Sequence, residues 1–180
     1  MTVTFGPDTI TFSSYRFPWA SVAPHGVLRA SDVRDVSCSF SPFEIRTVAG
    51  ETLFLTGDPA GLKAFCARHD VPSVVRFDVW GNLLEPFLDT SFSASDVAAT
   101  DARLLGVGLS GAAVASIRER VGPLMRAYNF DSMLWEWAHL GLYDLLDALS
   151  GTLVPAALPA TLGDPGEVYR WAMEIADYGL

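Results

Sequence analysis

Alternation of apolar and polar positions organises the first third of this chain. TVTF at residues 2–5 and TITFSS at 9–14 are short, rich in β-branched and aromatic residues, and separated by the turn signal GPD, which predicts two strands. SDVRDVSCSF at 31–40 also alternates, with Val33, Val36, Cys38 and Phe40 as inward candidates. One slip in its spacing predicts a β-bulge. FEIRTVAGETLFLTG at 43–57 reads as a hairpin. Phe43, Ile45 and Thr47 alternate with Glu44 and Arg46, Ala49 and Gly50 supply the turn, and Thr52 to Thr56 returns.

Helical spacing then takes over. Asp58 can accept orphan backbone N–H groups and Pro59 suits a first helical position, so a capped helix is expected over about 58–69. Leu62, Phe65, Cys66 and His69 share one of its faces. VPSVVRF at 71–77 predicts a short strand or extended connector, because Pro72 disfavours helix before it. From Asp78 the pattern is helical: a helix or helical pair that Pro86 kinks, a helix opened by Ser93 and Asp96 at capping-box spacing, and one capped by Ser110. Pro123 is expected to begin a further helix, and Asp164, Pro165 and Glu167 open a last one that Gly179 ends. The fold class that follows is α+β. An antiparallel β-rich region with one capping helix covers 1–77, and a helical region over 78–180 packs on it as a single compact unit rather than a second independent domain.

The stretch YNFDSMLWEWAHLGLYDLL, residues 128–146, concentrates aromatic and acidic residues. Taken as one helix from Asp131 to Leu149, after an irregularity around 129–131, it has an apolar arc of roughly 180° at about 100° per residue. Trp135 and Trp137 mark the edges of that arc, and Leu134, Ala138, Gly141, Leu142 and Leu145 lie within it. Ser132, Glu136, His139, Tyr143 and Asp147 fall on the opposite side. This is the pattern of a central core helix with a polar back.

Glu136, His139 and Tyr143 on that back are the candidate binding residues. Glu136 and His139 form a Glu-x-x-His pair, the spacing that supplies half of a di-iron carboxylate site in helical bundles. No second copy exists, and the three histidines of the chain have no His-Glu-x-x-His spacing, so neither a metal nor another cofactor is expected. Tyr143 and His139 instead suit amphipathic contacts with a partner.

Other candidates reduce to structure. Cys66 and His69 lie one turn apart, but Cys66 shares its face with Leu62 and Phe65 and reads as a buried, inert thiol. GVGLSG at 106–111 follows a helix and lacks the Lys-Ser/Thr of a phosphate loop, so it reads as a helix end and turn. Glu85 and Asp89 around Pro86 either flank a cleft or mark a simple kink.

Composition changes the picture in one respect. Half of the 180 residues are hydrophobic and 18% are charged, against a typical share of about 25%. A small domain has limited core to hide apolar surface, so another subunit is expected to cover some of it. The net charge of −9, with eleven arginines and Lys63 scattered, argues against nucleic acid as a partner. The uncharged run from Ala148 to Gly163 is too short and too broken by prolines and glycines to span a bilayer, so no membrane role is expected. Two isolated cysteines and no basic-apolar leader place the expected location in the cytoplasm.

The function expected from these features is that of a non-enzymatic interaction or regulatory protein that self-associates. Its partner is itself or another protein, engaged through the Pro/Ala arm at 150–163 and a last helix carrying Tyr169, Trp171 and Met173. The alternatives are a small metal-assisted or acid–base enzyme using Glu136 and His139 with Glu85 and Asp89, and a ligand-binding protein with an aromatic pocket.

Overall fold

The computed structural model describes residues 1–39, 41–136 and 138–178. Its fold is α+β, and the chain divides into two units, Met1–Arg76 and Phe77–Leu180.

The first unit holds two three-stranded antiparallel sheets and one helix. Strands β1 (Thr2–Phe5), β2 (Thr9–Ser13) and β3 (His25–Arg29) form the first sheet in that order. Strands β4 (Val33–Ser37), β5 (Phe43–Thr47) and β6 (Thr52–Leu55) form the second. The expected bulge lies between Val33 and Asp35, where the β4–β5 register shifts. Val36 and Cys38 were both expected to face inward; Val36 is buried and Cys38 is exposed. Phe40 lies outside the described residues. Strand β3 has no counterpart in the sequence reading, because Pro24 and Gly26 interrupt its pattern. Gly26 is required there: a Cβ would lie 2.6 Å from the Cα of Val22.

Buried aromatic rings join the two sheets. Tyr15 meets Phe12 and Phe17 edge-on, Phe17 meets Phe54, and the Tyr15 hydroxyl accepts the N–H of Phe54 at 2.8 Å. Helix α1 (Pro59–Arg68) is capped by Asp58, whose carboxylate accepts the Gly61 N–H at 2.8 Å. Its far end is tied to the β1–β2 turn by Arg68 and by His69, which lies 2.7 Å from the Pro7 carbonyl. Cys66 is buried as expected, and desolvation raises its pKa to about 11.

The second unit is helical. Helix α2 (Val79–Leu84) is capped by Asp78 and passes at Pro86 into a 3-10 turn over Glu85–Phe87. Helix α3 (Ala94–Gly106) starts at the Ser93–Asp96 capping box, and α4 (Gly111–Arg126) is capped by Ser110. Arg118 binds three helices together, donating to the Leu83 and Asn82 carbonyls of α2 and to Asp101 of α3. Trp80 is fully buried, donates its indole N–H to the Ala172 carbonyl at 2.9 Å and meets Trp171 edge-on.

Two expectations for this unit are overturned. Pro123 does not begin a helix; it lies inside α4. Its missing N–H leaves the Glu119 carbonyl without a helical donor, but Glu119 is exposed, so water takes that bond. Buried Val121, Leu124 and Met125 on either side carry the helix through. Nor is there one helix from Asp131 to Leu149. The chain makes a π-helical turn over Ala127–Asp131, leaves helical geometry from 132 to 141, and resumes as α5 (Leu142–Leu149). The Leu142, Leu145, Leu146 and Leu149 half of the predicted arc is buried, whereas Leu134 and Trp135 are exposed. Trp137 lies outside the described residues.

The arm at 150–163 lies on its own unit. Val154, Pro159 and Leu162 are buried, a short helix α6 (Ala157–Ala160) interrupts it, and Arg120 of α4 donates to the Leu162 carbonyl at 2.9 Å. The last helix, α7 (Pro165–Ala176), is capped by Asp164 and buries Val168, Tyr169, Ala172 and Met173.

Candidate functional site

The break in the predicted central helix has a single organising residue. Asn129 is completely buried. Its amide nitrogen donates to the Phe87 and Glu136 carbonyls, both at 2.9 Å, and its amide oxygen accepts the Glu136 N–H at 2.6 Å. The Asn129 carbonyl also accepts the Trp135 N–H at 2.9 Å. These bonds use backbone groups that a continuous helix would pair with itself, so the side chain competes directly with helix. Asn, Asp and Ser clustered at 129–132 were the visible turn signal.

Between the two ends of that clamp, residues 130–135 form a turn with an apolar surface. Met133 has φ 59° and Trp135 φ 49°, the left-handed region that favours glycine. Their side chains point away from any core: Met133 is 76% exposed and Trp135 58%, flanked by Phe130 at 39% and Leu134 at 43%. Four large apolar residues thus lie exposed within six positions, in a backbone held by buried hydrogen bonds.

The three sequence candidates sit just beyond this turn, without the helix face expected for them. Glu136 folds its carboxylate back onto the Ala138 and His139 N–H groups, at 2.8 and 3.4 Å. Tyr143 lies half-buried in α5. The His139 imidazole meets a residue from another element: its Nε2 is 2.7 Å from Oδ2 of Asp78, the α2 cap. Gly81 and Gly141 leave room for the pair, since a Cβ on Gly81 would lie 2.4 Å from Oδ2 of Asp78 and one on Gly141 2.8 Å from Cε1 of His139. The Asp78 hydrogen bond raises the His139 pKa, helped by the charges of Asp78, Asp144 and Glu136 and opposed by desolvation. The carboxylates of the enzyme alternative are used differently. The Glu85 carboxylate approaches Arg103, and Asp89 meets this segment through its backbone N–H, which donates to the Glu136 carbonyl.

Behind α5 is a second polar cluster. The Tyr128 hydroxyl is 3.1 Å from Oδ2 of Asp147 and 3.4 Å from Oδ1 of Asp144. Oδ2 of Asp144 accepts the Gly141 N–H at 2.8 Å, which caps α5. Burial raises the Asp144 pKa, and burial with the two neighbouring carboxylates raises that of Tyr128. This cluster fixes where α5 starts and therefore where Gly141 and His139 lie.

Chemically, the Asp78–His139 pair can hold a proton at an exposed imidazole. Among the described residues no hydroxyl or thiol is hydrogen-bonded to that ring, and no three His, Cys, Asp or Glu side chains converge on a common point. The sequence reading identified His139 and Glu136 but missed Asp78, Asn129 and the Met133–Trp135 surface. No family of proteins, no curated protein and no solved structure matches this chain.

Proposed function

We propose that this protein is a non-catalytic interaction module that associates with further copies of itself through the apolar turn at 130–135. The observation that carries this reading is the exposure of Phe130, Met133, Leu134 and Trp135 on a clamped, left-handed backbone. Left-handed geometry at non-glycine residues costs on the order of 1–3 kcal/mol each and is found where surrounding structure enforces it, often at binding sites. The exposed area of the four side chains is on the order of 400 Å², within the range of patches that mark interaction sites. The low share of charged residues supports another copy as the partner, and the arm at 150–163, packed on its own unit, is not needed for it.

The test is sedimentation velocity of the full chain over a wide concentration range. The wild-type protein is expected to form heavier species as concentration rises, and the Met133→Ser/Trp135→Ser double variant to stay monomeric with an unchanged unfolding temperature. Equal masses for the two proteins throughout would refute the reading.

The second reading, an acid–base enzyme, has the Asp78–His139 pair in its favour. The raised His139 pKa makes it a better proton donor than base near neutral pH.

A further inference from the structure

A second feature of the helical unit has the shape to receive that turn. Between the first half of α4 and the end of α7 lies a groove of about 330 Å³, lined by Leu109, Ile117, Trp171, Ile175 and Tyr178. Arg120 stands over it, its guanidinium 4.1 Å from the centre of the Trp171 ring. We infer that the turn at 130–135 of one copy seats in this α4–α7 groove of a second copy, so that the protein associates head to tail. The inference rests on the reading of the turn as the self-association surface.

Three observations select a second copy as the occupant. The first is the position of the two surfaces. Ala113 of α4 lines the groove, and the π-helical turn that carries Phe130 continues the same helix at its other end. At 1.5 Å per residue, roughly 25 Å of helix holds them apart, so a chain cannot fill its own groove with its own turn. The second is charge. Asp131, at the foot of the turn, is exposed and has no ion pair among the described residues, while the groove presents the exposed guanidinium of Arg120. The third is size. A groove of this volume admits one or two large side chains, which is what Met133 and Trp135 offer.

The geometry sets the form of the assembly. Turn and groove are different surfaces, so the contact is heterologous and propagates into open chains unless its rotation closes a ring. A patch of this size buries on the order of 800 Å² in total, below the roughly 1,200–2,000 Å² of stable interfaces, so the association is weak and concentration-dependent.

The experiment is complementation between two variants of the full chain. Met133→Ser/Trp135→Ser removes the turn's side chains and leaves the groove. Ser116→Trp, at an exposed α4 position lining the groove, fills it and leaves the turn. Each variant alone is expected to sediment as a monomer at concentrations where the wild type forms larger species. Mixed in equal amounts they are expected to form a heterodimer, about twice the monomer mass, and nothing heavier. An isologous turn-to-turn dimer cannot give this result, because only one variant has a turn. If Ser116→Trp assembles like the wild type while the turn variant does not, the groove is overturned as receptor and the turn stands as the association surface. If neither substitution changes assembly, both readings fail. A wild type that is monomeric throughout but co-floats with phosphatidylcholine vesicles, with the turn variant left behind, would make the turn a membrane anchor and overturn the inference.

Discussion

Replacing Asn129 by alanine tests whether this one side chain holds the turn. It removes three hydrogen bonds, two donated to the Phe87 and Glu136 carbonyls and one accepted from the Glu136 N–H. A typical net contribution is about 1 kcal/mol per bond, which sets an upper estimate of about 3 kcal/mol. Asn129 is fully buried, whereas Glu136 is only half-buried and its backbone groups can recover water, so the expected loss is about 2 kcal/mol. For a unit of roughly 100 residues that lowers the unfolding temperature by about 8–16 °C. The turn should respond more than the unit as a whole: the Trp135 N–H, which donates to the Asn129 carbonyl, should lose its protection against hydrogen exchange while core amides of α4 keep theirs. Chemical denaturation read by circular dichroism gives the first quantity and residue-resolved exchange the second. A stability loss under about 0.5 kcal/mol, with Trp135 still protected, would mean that packing and not Asn129 sets the turn, and the argument would fail.

Two further outcomes follow from the polar groups nearby. Tyr128→Phe removes the hydroxyl facing Asp147 and Asp144 and leaves the buried Asp147 carboxylate short of a donor; a loss of about 1.5–3 kcal/mol is expected by denaturant titration, and an unchanged midpoint would exclude a hydrogen-bonding role. The raised pKa of His139 means that the folded state holds its proton more tightly than the unfolded chain, whose value is about 6.5. Its contribution to stability is present below about pH 6.5 and is lost as pH rises through the raised value. NMR titration of the imidazole should show the upward shift and Asp78→Asn should remove most of it; an identical titration in that variant would show that the hydrogen bond is not its cause.

Where local chemistry decides the conformation, the chain is readable in advance. The caps at Asp58, Ser93, Ser110 and Asp164, the bulge in β4 and the break at Pro86 each follow from one or two neighbouring residues. The continuous helix from Asp131 is different. Its period of apolar residues is intact, yet Asn129 and Phe87, 42 positions apart, supply the bonds that undo it. Pro123 shows the reverse case: a residue that ends many helices is carried through by buried neighbours on both sides. The site was half legible for the same reason. His139 stood out by residue type, but Asp78 lies 61 positions earlier and was visible only as a helix cap.

The turn itself shows why its side chains call for an explanation outside the fold. Two residues in left-handed geometry cost on the order of 2–4 kcal/mol together, close to the roughly 3 kcal/mol that three buried hydrogen bonds return. The clamp therefore offsets the strain and leaves little surplus. Glycine at 133 and 135 would adopt the same backbone without strain and expose no apolar surface. Methionine and tryptophan add strain, and their exposed side chains return little burial to the folded monomer. The stability of the monomer thus gives no reason for these two residues, whereas a partner that covers them does: seating them in a groove recovers on the order of 1.5–3 kcal/mol for each buried side chain.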